Sequence, residues 1–336
     1  MNLDNKTSKS TLIVKSIGIP DVCNPLMRLR IENVPTFLQI AEKNKIPLFF
    51  LRRIGSGVDA SPCMSTLLRY EQRYQKTFNL VKFVSGILEK EKISYTFFKT
   101  LKPFPYVPSD VDILLWSNKD LKTLEERLNS KDCISLKKDA YGLTMFSPSH
   151  NLNIDLTTQI AVSGMVYINK ELIFDHVKEL DVYGNVVRTL EPSAELLAVI
   201  AHSVFKEHMF TLSDYYTLVL LAKHWGDASK LAGKLHLKSA FETVLRLTET
   251  VTLNAFGSLT PLFKNFIMLG IRHDSTSYDK AIELPKKYDL SAIVVELFTK
   301  VAIDPIARSS LFSVARSFYN PSFYQKMVEH ITRENY

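Results

Sequence analysis

Ser109-Asp110-Val111-Asp112-Ile113-Leu114-Leu115 places two carboxylates two residues apart at the mouth of an apolar run. Side chains alternate along a strand, so Asp110 and Asp112 point to the same face. A solvated strand end accounts for one such acid. Two on one side, ahead of an uncharged run, call for a partner that removes charge. A divalent cation answers this: Mg²⁺ takes oxygen ligands, keeps several waters, and commonly binds one or two carboxylates together with substrate phosphates.

A third acid, Asp155, lies in Asn153-Ile154-Asp155-Leu156, within another apolar strand. By itself it reads equally as a surface acid. Three acids on neighbouring strands, two of them in Asp-x-Asp spacing, suggest a two-metal phosphoryl-transfer site. Catalysis there is mostly positioning and charge neutralisation.

Outward from this core, the apolar spacing predicts a long helix from Ser61-Pro62, with the serine capping and the proline at the first helical position. A strand at 95–99, a proline-rich loop with Pro103, Pro105 and Pro108, the strand at 111–116 and a helix at 119–129 follow. Hairpins are expected around Ala140-Tyr141-Gly142 and around Gly184-Asn185. After Glu191-Pro192 the apolar residues keep helical period to the end. Upstream, residues 1–10 are polar and expected to be disordered, and 34–43 looks helical. The expected division is a partly helical N-terminal extension (1–60), a core (61–190) and a helical domain (191–336).

The chain has 336 residues, 46% apolar and 23% charged, the composition of an ordinary globular protein. No apolar run reaches the length of a membrane span and residues 1–20 lack a signal-peptide pattern, so no membrane association and a cytoplasmic location are expected. Cys23, Cys63 and Cys133 are too few and too scattered for a disulfide framework or a zinc site. A net charge of +7 favours a polyanionic partner, although a lysine-rich solvated surface gives the same number. Arg52, Arg53, Lys230, Lys234 and Lys238 are the candidate phosphate contacts. The last three share a face if their helix is continuous. Phe318, Tyr319, Phe323 and Tyr324, near Arg316, read as helix packing or as a platform for nucleobases.

The order of these pieces resembles the nucleotidyltransferase fold of DNA polymerase β and the CCA-adding enzymes, and more closely the uncharacterised, toxin-like nucleotidyltransferases, some of which belong to toxin–antitoxin systems. The residues that carry the resemblance are Lys99-Thr100, Asp110-Val111-Asp112, Asp155, the hairpin Tyr183-Gly184-Asn185 leading to Leu190-Glu191-Pro192, His202 with Lys206, and Ser213-Asp214-Tyr215. They span about residues 61–225. The wider family has a Gly-Ser or Gly-Gly step before the acids. This chain has Lys99-Thr100, and no glycine between Gly86 and Gly142.

The resemblance implies an α+β fold: a small mixed β-sheet nucleotidyltransferase core with flanking helices, followed by an all-helical C-terminal domain. It implies that Asp110 and Asp112 bind Mg²⁺ (or Mn²⁺), and that Asp155 binds the catalytic metal and helps deprotonate the acceptor hydroxyl. Thr100 and Ser109 contact the triphosphate of an ATP-like nucleoside triphosphate, with Lys99 and His202 beside them, and Lys206 reaches its β or γ phosphate. Alternatives stand beside these roles. Lys99 is equally a strand-end lysine in solvent, His202 with Lys206 a structural histidine beside an exposed lysine, and Asp214 a helix cap. The implied function is Mg²⁺-dependent transfer of an NMP to an acceptor hydroxyl with release of pyrophosphate. RNA, such as a tRNA 3′ end, is the first acceptor considered. Transfer to a protein side chain or a small molecule, and a catalytically silent module binding nucleotide, RNA or protein, are the alternatives.

Overall fold

From Thr77 onward, Thr77, Leu80, Val81, Val84, Ser85 and Leu88 fall on one stripe at three- and four-residue steps. In the computed structural model, which describes residues 7–55, 63–162, 164–257 and 282–315, this stripe belongs to a helix spanning Met64–Lys90. Ser61 and Pro62 lie outside the described residues, and Cys63 holds the N-cap position.

Three helices precede it: α1 (Lys9–Ile17), α2 (Val34–Lys43) and α3 (Pro47–Gly55). The Met64–Lys90 helix is therefore α4, and α5 (Asn118–Asn129) starts on a capping box between Ser117 and Asp120. Both cover one face of a mixed sheet of seven strands. In chain order the first five are β1 (Tyr95–Phe97), β2 (Asp110–Leu115), β3 (Ile134–Lys138), β4 (Gly142–Ser147) and β5 (Leu152–Thr157). A separate hairpin, β6 (Ile160–Val162) with β7 (Met165–Ile168), and a short helix α6 (Lys170–Phe174) intervene. Strands β8 (Val177–Val182) and β9 (Asn185–Leu190) then complete the large sheet, whose spatial order is β3-β4-β5-β2-β1-β9-β8.

Strand β2 is antiparallel to β1 and parallel to β5. Its alternation sorts two cores. Val111, Ile113 and Leu115 pack with α4, α5 and the neighbouring strands. Leu114 faces the other way, into a second core. That core is helical: α7 (Pro192–Ala201), α8 (Leu212–Leu220), α9 (Trp225–Lys234) and α10 (Lys238–Phe256) meet α1, α2 and α3 in it. Fully buried Phe50, Tyr216 and Trp225 show how large the shared apolar surface is. Residues 9–55 therefore pack with the helices after residue 190.

The fold is α+β, with a sheet larger than the small one expected. Four local readings change. Disorder to residue 10 is not seen for the described part of that stretch, because Ser8 accepts a hydrogen bond from Thr11 N and starts α1 at Lys9. The part after 190 is not purely helical: β10 (Met209–Phe210) pairs antiparallel with β11 (Lys286–Lys287), a ladder too short to show a period. Lys230, Lys234 and Lys238 do not line one continuous helix: Lys230 and Lys234 share a face of α9, which ends at Lys234, and Lys238 opens α10. The strand expected to reach residue 99 stops at Phe97. Phe318, Tyr319, Phe323, Tyr324 and Arg316 lie outside the described residues. The three cysteines are free, and among the described residues no helix is long and apolar enough to cross a membrane.

Gly18 ends α1 at φ 70, ψ −167, and a Cβ there would stand 2.4 Å from the Cys23 carbonyl oxygen. Only glycine takes that backbone region without strain. Gly18→Ala is expected to lower stability by about 2 kcal/mol or more, read as a drop in the denaturant midpoint.

Candidate active site

Asp110 and Asp112 occupy the opening of β2 on the face that Leu114 buries farther along. Register brings in the third acid: Asp112 lies opposite Asp155 of β5, and Asp110 opposite Asn153. Paired residues of a parallel ladder share a face, so the three carboxylates gather on one side of the sheet. Burial and then Asp110 push the Asp155 carboxyl above its ordinary range. Ser109 Oγ donates to Asp110 Oδ1 at 3.0 Å.

The chain leaves β1 through a turn at Lys99, whose φ is 58°. This left-handed region disfavours a lysine and suits a glycine. Here a lysine takes up the left-handed conformation. Two bonds hold it: the Lys99 backbone N–H donates to Glu195 Oε1 of α7 at 2.8 Å, and the Asp112 N–H donates to Thr100 Oγ1 at 2.9 Å. Glu195 is buried, its Oε2 has no hydrogen-bond partner among the described residues, and burial lifts its pKa to about 7 against the pull of Lys102.

The turn aims Lys99 at the acids. Its Nζ donates to Asp112 Oδ1 at 2.8 Å and stands 3.3 Å from His202 Nδ1. His202 Nε2 is 3.0 Å from Glu207 Oε1. Burial and the adjacent Lys99 hold the His202 pKa well below its ordinary value, so the ring is neutral. Nδ1 then accepts from the ammonium, and Nε2–H donates to Glu207. Burial lifts Asp112 to about 6, with Lys99 opposing and Asp110 adding. Burial works against the charge on Lys99, but Asp112 outweighs it and its pKa is raised.

His202 and Glu207 can meet because His202–Glu207 is a π-helical turn, not the regular helix that the spacing predicted. Such turns recur at functional sites. Asp214 is the cap foreseen as its structural alternative, closing a capping box with Thr211 at the start of α8.

These elements enclose a cavity lined by Lys99, Ser109, Asp110, Asp112, His202 and Lys206 among the residues picked from sequence. Thr100 and Asp155 do not line it: Thr100 braces β2 from a neighbouring cavity, and Asp155 sits on the adjoining strand. Sequence reasoning missed Lys45, Lys102, Tyr106 and Glu207, which also line it. Lys102 donates to Ser213 Oγ at 2.9 Å and to Thr217 Oγ1 at 3.3 Å. Burial lowers its pKa to about 8, with Asp214 and Glu195 opposing. Burial likewise lowers Lys45 against the pull of Glu207. The sequence signal for Lys102 was its place in the proline-rich loop; Lys45 had none, being brought in by α2 and α3. Two residues named for RNA contact are otherwise engaged. Arg52 holds Glu71 through two bonds, of 2.7 and 2.6 Å, and Arg53 donates to the Ile17 carbonyl at 3.2 and 3.1 Å.

Among the described residues no group of three or more His, Cys, Asp or Glu side chains is disposed to hold a metal ion. Asp110 and Asp112 still offer hard oxygen donors side by side. That donor chemistry fits a divalent cation that takes its other ligands from water and phosphate; it does not fit a preformed cage of three carboxylates. Lys99 and such a cation compete for Asp112.

No protein-family model matches this chain, and no curated protein matches it. Among solved structures it is similar to the crystal structure of an antigenic nucleotidyltransferase-like protein from Paracoccidioides brasiliensis. The TM-score is 0.33 and the identity 12%, over 50% of this chain and 93% of that one. The likeness is distant.

Proposed function

We propose that the cavity binds a nucleoside triphosphate and passes its nucleotidyl group to an acceptor hydroxyl. The observation that supports this best is the register of β2 on β5, which sets Asp112 beside Asp155 with Asp110 on the same face, Asp110 and Asp112 lining a cavity together with Lys45, Lys99, Lys102 and Lys206. Cationic side chains of this number fit a polyphosphate.

Each residue then has a task. The lysines neutralise the phosphates, with Lys99 exchanging Asp112 for a phosphate oxygen. Ser109 borders the triphosphate and Thr100 fixes the strand opening. Asp110 and Asp112 hold Mg²⁺ or Mn²⁺, which when bound polarises phosphoryl oxygens and offsets charge on the leaving group. Asp155, its pKa raised, accepts the proton as the acceptor oxygen bonds to the α-phosphorus and the bond to the β-phosphate breaks. RNA is the acceptor class we propose, on the net charge of +7.

A second reading, a silent nucleotide-binding module, is favoured by one observation: Lys99 already supplies Asp112 with a cation at 2.8 Å. The test is incubation with each α-phosphate-radiolabelled nucleoside triphosphate, Mg²⁺ or Mn²⁺ and total RNA. Label in RNA is the expected result. Label in the protein moves the acceptor to a side chain. No label with any nucleotide or metal leaves the silent module.

A further inference from the structure

A second cavity, of about 270 Å³, shares Lys102 and Tyr106 of the loop 101–109 with the first. That volume lies just under the roughly 300–1,000 Å³ of small-molecule pockets. Its walls are aromatic. Tyr74 and Phe78 come from successive turns of α4, Phe104 and Tyr106 from the proline-rich loop, and Tyr183 from the turn between β8 and β9. Phe78 stands edge-on to both Tyr74, at 4.6 Å between ring centroids, and Tyr183, at 5.0 Å.

Two features mark this as more than core packing. Tyr183 remains 68% exposed, and its φ of 51° is a turn position that favours Asn, Asp or Gly. The ring packs its edge contact on Phe78 yet leaves most of its surface in solvent, where a ligand can reach it. Lys102 and Tyr106 line both cavities, with Lys102 Nζ 4.8 Å from the centre of the Tyr106 ring. The aromatic space thus begins where the lysine-lined space ends.

Resting on the nucleotidyl-transfer reading, we propose that this cavity receives the nucleobase of the nucleoside triphosphate whose phosphates lie among the lysines. Base stacking needs only π-faces, and rings set at right angles offer both a face and an edge. Asp181, also on the wall, accepts the Gly184 N–H on Oδ1 at 2.8 Å and has a second carboxylate oxygen to accept from an exocyclic amine.

The experiment measures binding of inorganic tripolyphosphate and of ATP, GTP, CTP and UTP, with Mg²⁺ present, to the wild type and to Tyr183→Ala, Tyr183→Phe and Phe78→Leu. Tyr183 sits in an exposed turn, so its variants test the ring without opening the core. At least one nucleotide should bind the wild type about tenfold more tightly than tripolyphosphate. Tyr183→Ala should remove most of that advantage and leave tripolyphosphate binding unchanged, while Tyr183→Phe retains it. Equal binding of nucleotides and tripolyphosphate by the wild type would overturn the pocket and leave the phosphate site standing. Nucleotide binding undiminished in both Tyr183→Ala and Phe78→Leu would do the same. Failure of the wild type to bind either class of ligand would instead overturn the nucleotidyl-transfer reading beneath it.

Discussion

Asp112→Asn is expected to reduce nucleotidyl transfer by about a thousandfold, the several kcal/mol of transition-state charge stabilisation that a bound divalent cation supplies. Asp112 stands at the convergence of the site. It faces Asp155 in the strand register, shares a face with Asp110, and takes the Lys99 ammonium on Oδ1. An asparagine keeps the shape and the backbone bond to Thr100 while removing the charge that holds either cation. The same label assay reads the result, with Asp110→Asn alongside. Transfer that persists at wild-type rate in Asp112→Asn would remove the acids from the chemistry. In the silent-module reading there is no transfer to lose. There Asp110→Asn should raise the melting temperature or leave it unchanged, because it relieves repulsion among clustered carboxylates.

The second large effect is on stability. Lys99→Met should cost about 3–5 kcal/mol near pH 8, since it strands the Asp112 carboxylate in a largely buried place with Asp110 nearby. Lys99 and Asp112 side chains are only 11% and 15% exposed, so solvent screens the pair little. The effect should depend on pH. Asp112 in the folded protein sits at about 6, above its ordinary value of 3.8. Its contribution is therefore fully present below the unfolded value and is lost as pH rises through about 6. Without Lys99 its folded pKa moves higher still, so the loss extends to higher pH. The gap in melting temperature between variant and wild type should be wide at pH 8 and narrow at pH 5. A gap independent of pH would mean that Lys99 matters for its left-handed turn and not for its charge. Mg²⁺ should restore part of the lost stability by taking the ammonium's place beside Asp110 and Asp112. No response to Mg²⁺ would count against a cation on these acids.

Local pattern was enough for much of this molecule. The strand through Asp110 and Asp112, the helix after it, the hairpin that turns at Gly184 and the change to helices after Pro192 are encoded by periods of two and 3.6 residues and by turn and capping residues, all of which act over a few positions. The shared face of Asp110 and Asp112 follows from strand alternation alone. Elements with too little length to show a period escaped that reading: β6 and β7 were not foreseen, and the two-residue ladder of β10 with β11 lies where only helices were expected. The π-helical turn was also hidden, because regular i, i+4 spacing is the default reading of a helical pattern.

What only the tertiary structure decided is which distant pieces meet. The pairing of β2 with β5, which sets Asp155 beside Asp112, is a choice of neighbour that neither strand's own pattern contains. The same holds for Lys45, carried into the cavity by helices that pack with the chain after residue 190, and for Lys102, aimed by its bonds to Ser213 and Thr217. Lys99 makes the point most sharply. Its sequence neighbours leave it free to reach solvent. A backbone bond to Glu195 and the carboxylate of Asp112 together make a left-handed turn and an ion pair out of it. The shared face of Asp110 and Asp112 was thus written into the sequence, whereas Asp155 and the cations around them were brought in by strand pairing, burial and charge pairing between segments far apart in the chain.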